Sequence, residues 1–189
     1  MTSAVEGNGP TPGAKRYTVG PMIEIGLPFS FAFEADALYR RTGYNAIAGG
    51  LGTDSTTRLR ANTWDFPLLA KYYFKPRIGP VRLYATGGYV VRYLSGFDIS
   101  IHTLGVEPVT GKPIDFTFHT SSSQYYVRDN PASGFVAGGG ARLHVGRFAV
   151  APEVRYTRWV GLTFDDFGSH GFFVKSLQNQ ADVLVGITF

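Results

Sequence analysis

Along most of this chain apolar and polar side chains alternate with a period of two, the spacing of a strand whose two faces meet different surroundings. No capped helix-period stripe stands out between these stretches. The alternation predicts seven strands. The first runs from Tyr17 to Leu27, with Val19, Pro21, Ile23, Ile25 and Leu27 on one face and Glu24 on the other. The second runs from Phe31 to Tyr44, setting Phe31, Phe33, Ala35, Ala37 and Tyr39 against Glu34, Asp36 and Arg40. The third, Ala61 to Phe74, sets Trp64, Phe66, Leu68, Ala70, Tyr72 and Phe74 against Asp65, Pro67, Leu69, Lys71 and Tyr73. The fourth, Val81 to Leu94, sets Leu83, Ala85, Tyr89, Val91 and Tyr93 against Arg82, Tyr84, Thr86 and Arg92. The fifth, Gly134 to Val145, opposes Phe135, Ala137 and Leu143 to Arg142 and His144. The sixth, Phe148 to Trp159, opposes Val150, Pro152, Val154 and Tyr156 to Glu153 and Arg155. The seventh closes the chain, with Ala181, Val183, Val185, Ile187 and Phe189 opposite Gln180, Asp182 and Leu184. Pro67 and Pro152 fall inside these runs. Each removes a ladder donor, so bulges or local breaks are expected there.

The two faces differ in kind. One is apolar or aromatic, with Tyr39, Trp64, Tyr72, Phe74, Tyr93, Phe148 and Tyr156 near strand ends. Aromatic girdles at both rims of an apolar band mark a membrane barrel, and strands of this length suffice to cross a bilayer with tilt. The other face carries six acids (Glu24, Glu34, Asp36, Asp65, Glu153, Asp182) and six bases (Arg40, Lys71, Arg82, Arg92, Arg142, Arg155), with His144 beside them. Equal numbers permit pairing, and buried charges must be paired. An enclosed, ion-paired lumen is therefore expected, although a solvated surface would also accept this composition. Connections alternate in length. Leu27–Phe31, Phe74–Val81 and Val145–Phe148 are short, while those near 45–60, 95–132 and 160–177 are long. All long connections then lie at one end, as in outer-membrane barrels. Within the longest, Phe97, Ile99 and Ile101, then Phe116 and Phe118, alternate well enough to predict an external hairpin extending strands four and five.

Composition narrows the class. The chain has 189 residues, 44% hydrophobic, 17% charged and 15% aromatic, which argues against disorder. Cysteine is absent, excluding a disulfide scaffold and any Cys-based metal site. The net charge of +4 is too mild to signal nucleic-acid binding. No apolar run is long enough for a spanning helix.

The terminal stretch Ala181–Phe189, with apolar residues at alternate positions ending in Phe, resembles the closing strand of a bacterial outer-membrane β-barrel. Arg16–Pro21 and Glu34–Arg41 are similar to segments of the small eight-stranded type, the outer membrane protein β-barrel domain of OmpA- and OmpX-like proteins. The resemblance covers residues 15–189. It implies an antiparallel up-and-down transmembrane barrel in the outer membrane, with no cofactor. It also implies that Val183, Val185, Ile187 and Phe189 form the signal read by the outer-membrane assembly machinery, and that Phe66, Tyr89 and Phe189 join the girdle residues in facing lipid.

Two departures stand out. Met1–Gly13 has no apolar signal region. Strands one and seven both run toward the short-turn end, so they are parallel and cannot close an antiparallel ring. The expectation is that a signal peptide and one strand are missing upstream, with residues 1–16 a flexible segment or loop remnant and 17–189 the barrel domain. A parallel seven-stranded closure is the alternative. An antiparallel strand within residues 1–14 would overturn the expectation of a missing strand.

Site chemistry is sparse. Lys15, Arg16, Arg41, Arg58, Arg60, Arg128, Arg158 and Lys175 sit toward the loop-side rim, where they would meet lipopolysaccharide phosphates or simply water. Ser169-His170 lies near Asp165 and Asp166, and His119 lies near Ser121. A rim-located lipid-modifying enzyme would bring one of these histidines to a serine and an acid. Gly138–Gly140 sits mid-strand and is no phosphate loop. The expectation is a non-enzymatic outer-membrane barrel with a largely closed lumen and a structural, adhesive or interaction role in its loops. Rivals are a soluble lipocalin-like barrel around an apolar ligand, a narrow porin-like pore, and the lipid-modifying enzyme.

Overall fold

The computed structural model describes residues 11–12, 17–50, 53–75, 80–106, 109–121, 129–160 and 178–188. They form ten strands: β1 (Thr11–Pro12), β2 (Met22–Gly26), β3 (Phe31–Asp36), β4 (Leu38–Gly50), β5 (Thr53–Tyr73), β6 (Val81–Val106), β7 (Pro113–Thr120), β8 (Ala132–Val145), β9 (Phe148–Trp159) and β10 (Asn179–Thr188). The fold is all-β, and every pairing in the sheet is antiparallel. Neighbours follow chain order: β2, then β3 and β4 end to end, β5, β6, then β7 and β8 along the far side of β6, β9 and β10. One 3-10 turn, Pro28–Ser30, links β2 to β3.

The sheet curls strongly. Arg155 on β9 donates to Glu34 and Asp36 on β3, although β5, β6 and β8 lie between those strands along the sheet. Arg142 on β8 likewise reaches Glu24 on β2. Yet β2 and β10 are not paired, so the sheet stays open along one seam. The parallel closure considered above is absent. An antiparallel strand does occur within residues 1–14, the two-residue β1 paired with Tyr44–Asn45, so the expectation of a missing strand fails on the condition set for it. This strand lies on the same side of β4 as the Val19–Tyr39 bridge and continues the line of β2, so it does not cover the seam.

Several strand limits need correction. Of the first predicted strand only Met22–Gly26 is regular, with a lone bridge at Val19. The second breaks at Ala37. The 45–60 connection is not a loop, because β4 and β5 pair without interruption from Leu38↔Asp65 to Gly50↔Thr53. Its many Thr and Ser residues pleat well even without an apolar face. The 95–132 stretch forms the expected hairpin, with β6 continuing to Val106 and β7 folding back on it. The 160–177 connection lies outside the described residues beyond Val160.

Both interior prolines sit at breaks on one side only. Pro67 stays in register with Val90, but opposite its other edge lies the gap between β3 and β4. Pro152 pairs with Val185, while its β8 side skips Ala141–Arg142 without a change of register. Where β8 begins, the Asn130 side chain stands in for a ladder partner. Its amide donates to the Leu94 carbonyl and its oxygen accepts from the Leu94 N–H, both at 2.9 Å.

Tight curvature crowds the inner face. A Cβ at Gly88 would lie 2.0 Å from the Leu68 carbonyl oxygen, whereas one at Gly26 would meet nothing within 4 Å. Gly88→Ala is therefore expected to lower stability by about 1–3 kcal/mol through overpacking. Gly26→Ala should leave the urea unfolding midpoint of the refolded chain unchanged, and equal midpoints for the two variants would contradict this account.

Candidate functional site: a charged interior

On β5 the alternation is complete. Odd-numbered residues from Thr57 to Tyr73 are buried on the concave side, and even-numbered ones point outward. The polar side is therefore inside. Glu34 and Lys71 are 0% and 2% exposed, while outward Leu68 and Ile23 are 50% and 67% exposed. Such burial of charge requires partners, and the inner residues form two clusters.

The lower cluster centres on Arg155. Its Nε donates to Glu153, Nη1 to Asp36 and Nη2 to Glu34, each at 2.6 Å. Lys71 binds Glu34 and lies 3.4 Å from Glu24 and 3.5 Å from Glu153. The phenols of Tyr73 and Tyr84 donate to Glu24 and Glu153 at 2.8 Å. Arg142 donates to Glu24 and, through Nη2, to the Thr188 hydroxyl. The upper cluster centres on Asp65, which accepts from Arg40 at 2.9 Å and from Arg92 Nε at 2.7 Å. The Gln180 carbonyl oxygen accepts from Arg40, Arg92 and Trp159, and its amide donates to Asp182. Arg92 also stacks on Trp159, 3.8 Å from the ring centroid.

Ten of the thirteen residues expected in the ion-pair network thus form ion pairs. Three do not. Asp182 joins only through Gln180. Arg82 rests on the Tyr73 ring, and His144 is exposed at the mouth, where neither meets a carboxylate. Tyr73, Tyr84, Gln180 and Trp159 belong to the site but carry no formal charge, so a charge census missed them. Their inward parity was the available signal.

The aromatic residues expected at a girdle lie on the outward side. Phe66, Tyr72, Phe74, Tyr89, Tyr93, Phe148 and Tyr156 are exposed, and Tyr39 packs against Trp64 at 5.1 Å between centroids. Phe31, Phe33 and Phe135 are exposed on the same side and extend the set. Val183, Val185 and Ile187 point outward from β10, while Phe189 lies outside the described residues. Above Tyr39 and Trp64, outward Arg41, Arg58 and Arg60 lie close together on β4 and β5, with Arg158 beyond Tyr156 on β9. Lys15, Arg16, Arg128 and Lys175 lie outside the described residues.

His119 faces Ser100 across β6 and β7, but no hydrogen bond joins it to a serine or an acid among the described residues. His102 instead pairs with Asp115 at 3.1 Å. Ser169, His170, Asp165 and Asp166 lie outside the described residues. No group of three or more potential metal ligands is present among those described. Comparison with known protein families, curated proteins and solved structures found no match.

Arg155→Leu would leave three buried carboxylates short of a partner, an expected cost of about 3–5 kcal/mol. Arg40→Leu should cost only about 1 kcal/mol, because Arg92 still holds Asp65 and the Arg40 side chain is partly exposed. Denaturant unfolding of the two variants side by side checks the difference.

Proposed function

We propose that this chain is an integral outer-membrane β-barrel protein whose curled sheet meets lipid outside and is plugged by its own ion pairs inside. One observation carries the reading. Along β5 and just beyond it the outward positions are Trp64, Phe66, Leu68, Ala70, Tyr72 and Phe74, and above Trp64 they turn to Asn62, Arg60 and Arg58. Ten residue steps at ~3.3 Å, tilted by ~40°, span about 25 Å, the height of the apolar band of such barrels. Aromatic rings occupy both ends of it.

A water-soluble barrel with an apolar cavity would need the reverse arrangement, with charges outside. The seam between β2 and β10 fits the same reading. Its edges run in one direction, so a single strand antiparallel to both would complete the ring that lipid demands. Function then resides in the β4–β5 and β6–β7 hairpins beyond the band, in a structural, adhesive or interaction role. Arg41, Arg58 and Arg60 lie where lipopolysaccharide phosphates would meet them.

Heat-dependent gel mobility after refolding in detergent, together with β-rich circular dichroism, is the expected result. A monomer that stays soluble without detergent would replace this reading with the lipocalin-like one. Depth supplies a second test. In bilayers Leu68→Arg, near the middle of the band, should cost about 2–4 kcal/mol, against about 0–1 kcal/mol for Asn62→Arg at its edge.

A further inference from the structure

At the short-turn end the inner face holds three basic residues, Arg82, Arg142 and His144, against one acid, Glu24. Arg82 and Arg142 are direct cross-strand partners on β6 and β8, an arrangement that repels. Glu24 offsets Arg142 alone. One of its oxygens accepts from Arg142 and Tyr73, and the other faces Lys71. Arg82 has only the Tyr73 ring, 4.6 Å from its guanidinium carbon, and no carboxylate among the described residues. Every other inner arginine or lysine described has one. Arg142 Nε is buried without a hydrogen-bond partner. By sequence the three short turns add Lys75, Arg77 and Arg147 and no acid. Between Arg82, Arg142, His144 and Glu24 lies a cavity of about 350 Å³, with Ser30 on its wall.

We propose that this cavity binds a compact phosphate-bearing anion, held by the free guanidinium fork of Arg82, with Arg142 as the second cation and the His144 ring as a hydrogen-bonding wall. Planar guanidinium forks match phosphate oxygens in pairs. An anion beside Arg82 supplies the counter-charge that this arginine lacks and its cross-strand partner does not, which a neutral ligand cannot do. The proposal does not depend on the sheet spanning a membrane, since the cavity lies on its concave side.

The test is a titration of inorganic phosphate at constant ionic strength, in neutral detergent or in buffer, followed by phosphorus-31 line width and unfolding temperature. Saturable binding with a higher unfolding temperature is expected. Arg82→Gln should weaken it by about tenfold or more, and Lys75→Gln, outside the cavity, should not. Competition by short-chain phosphatidic acid would identify a lipid headgroup as the source of the phosphate, and its failure to compete a free phosphate compound. Non-saturable effects, or equal binding by Arg82→Gln, would overturn the proposal. If Arg82→Gln does not refold, Arg82→Lys keeps the charge without the fork: weakened binding supports the site, and unchanged binding overturns it.

Discussion

Arg155 holds three carboxylates at once, two of them from the far wall of the curled sheet. The curvature, the inward charge and the outward apolar face all depend on that junction. The charges can leave water only if the sheet bends far enough for β9 to meet β3. Once bent, the sheet pairs every inner cation described except Arg82 at its short-turn end. Replacing such a network by apolar side chains is often neutral or stabilising. What the charges supply here is a fixed alignment of strands that are not neighbours. A strand displaced by one residue would put its whole charged row on the outside.

The same logic explains the glycines and phenols. Long side chains from opposite walls need space, and glycine on the inner face of β6 and β8 leaves it. Tyr73 and Tyr84 fill the remaining gaps with rings and use their hydroxyls on Glu24 and Glu153. Each phenol satisfies a carboxylate lone pair without adding a charge that must itself be paired.

Which residues share a face was legible from the period of two, and the set of interior charges followed almost completely. Which charge meets which was not. Beside the pairs between neighbouring strands, ion pairs join β2 to β8 and β3 to β9, and those distances in sequence exceed anything a spacing rule addresses. The upper ends of β4 and β5 were missed because Thr53–Arg60 is polar on most positions, so polarity read as loop. In β6 the odd-numbered apolar residues Val91, Tyr93, Phe97, Ile99 and Ile101 look like one continuous row. They are not, because one extra residue near Gly96 shifts the register between Arg60↔Asp98 and Asn62↔Ser95.

That bulge acts as a phase inverter. Below it Tyr93 points out beside Trp64, and above it Ile99 points in beside Leu59, 0% exposed. Arg60 and Asp98 take the outside in their place. One strand therefore presents grease outward in one zone and polar groups outward in the next while its own sequence keeps a single rhythm. The hairpin beyond the bulge is phased independently of the wall that carries it. Its outer face is free to diverge in sequence without any change reaching the band or the charged interior beneath.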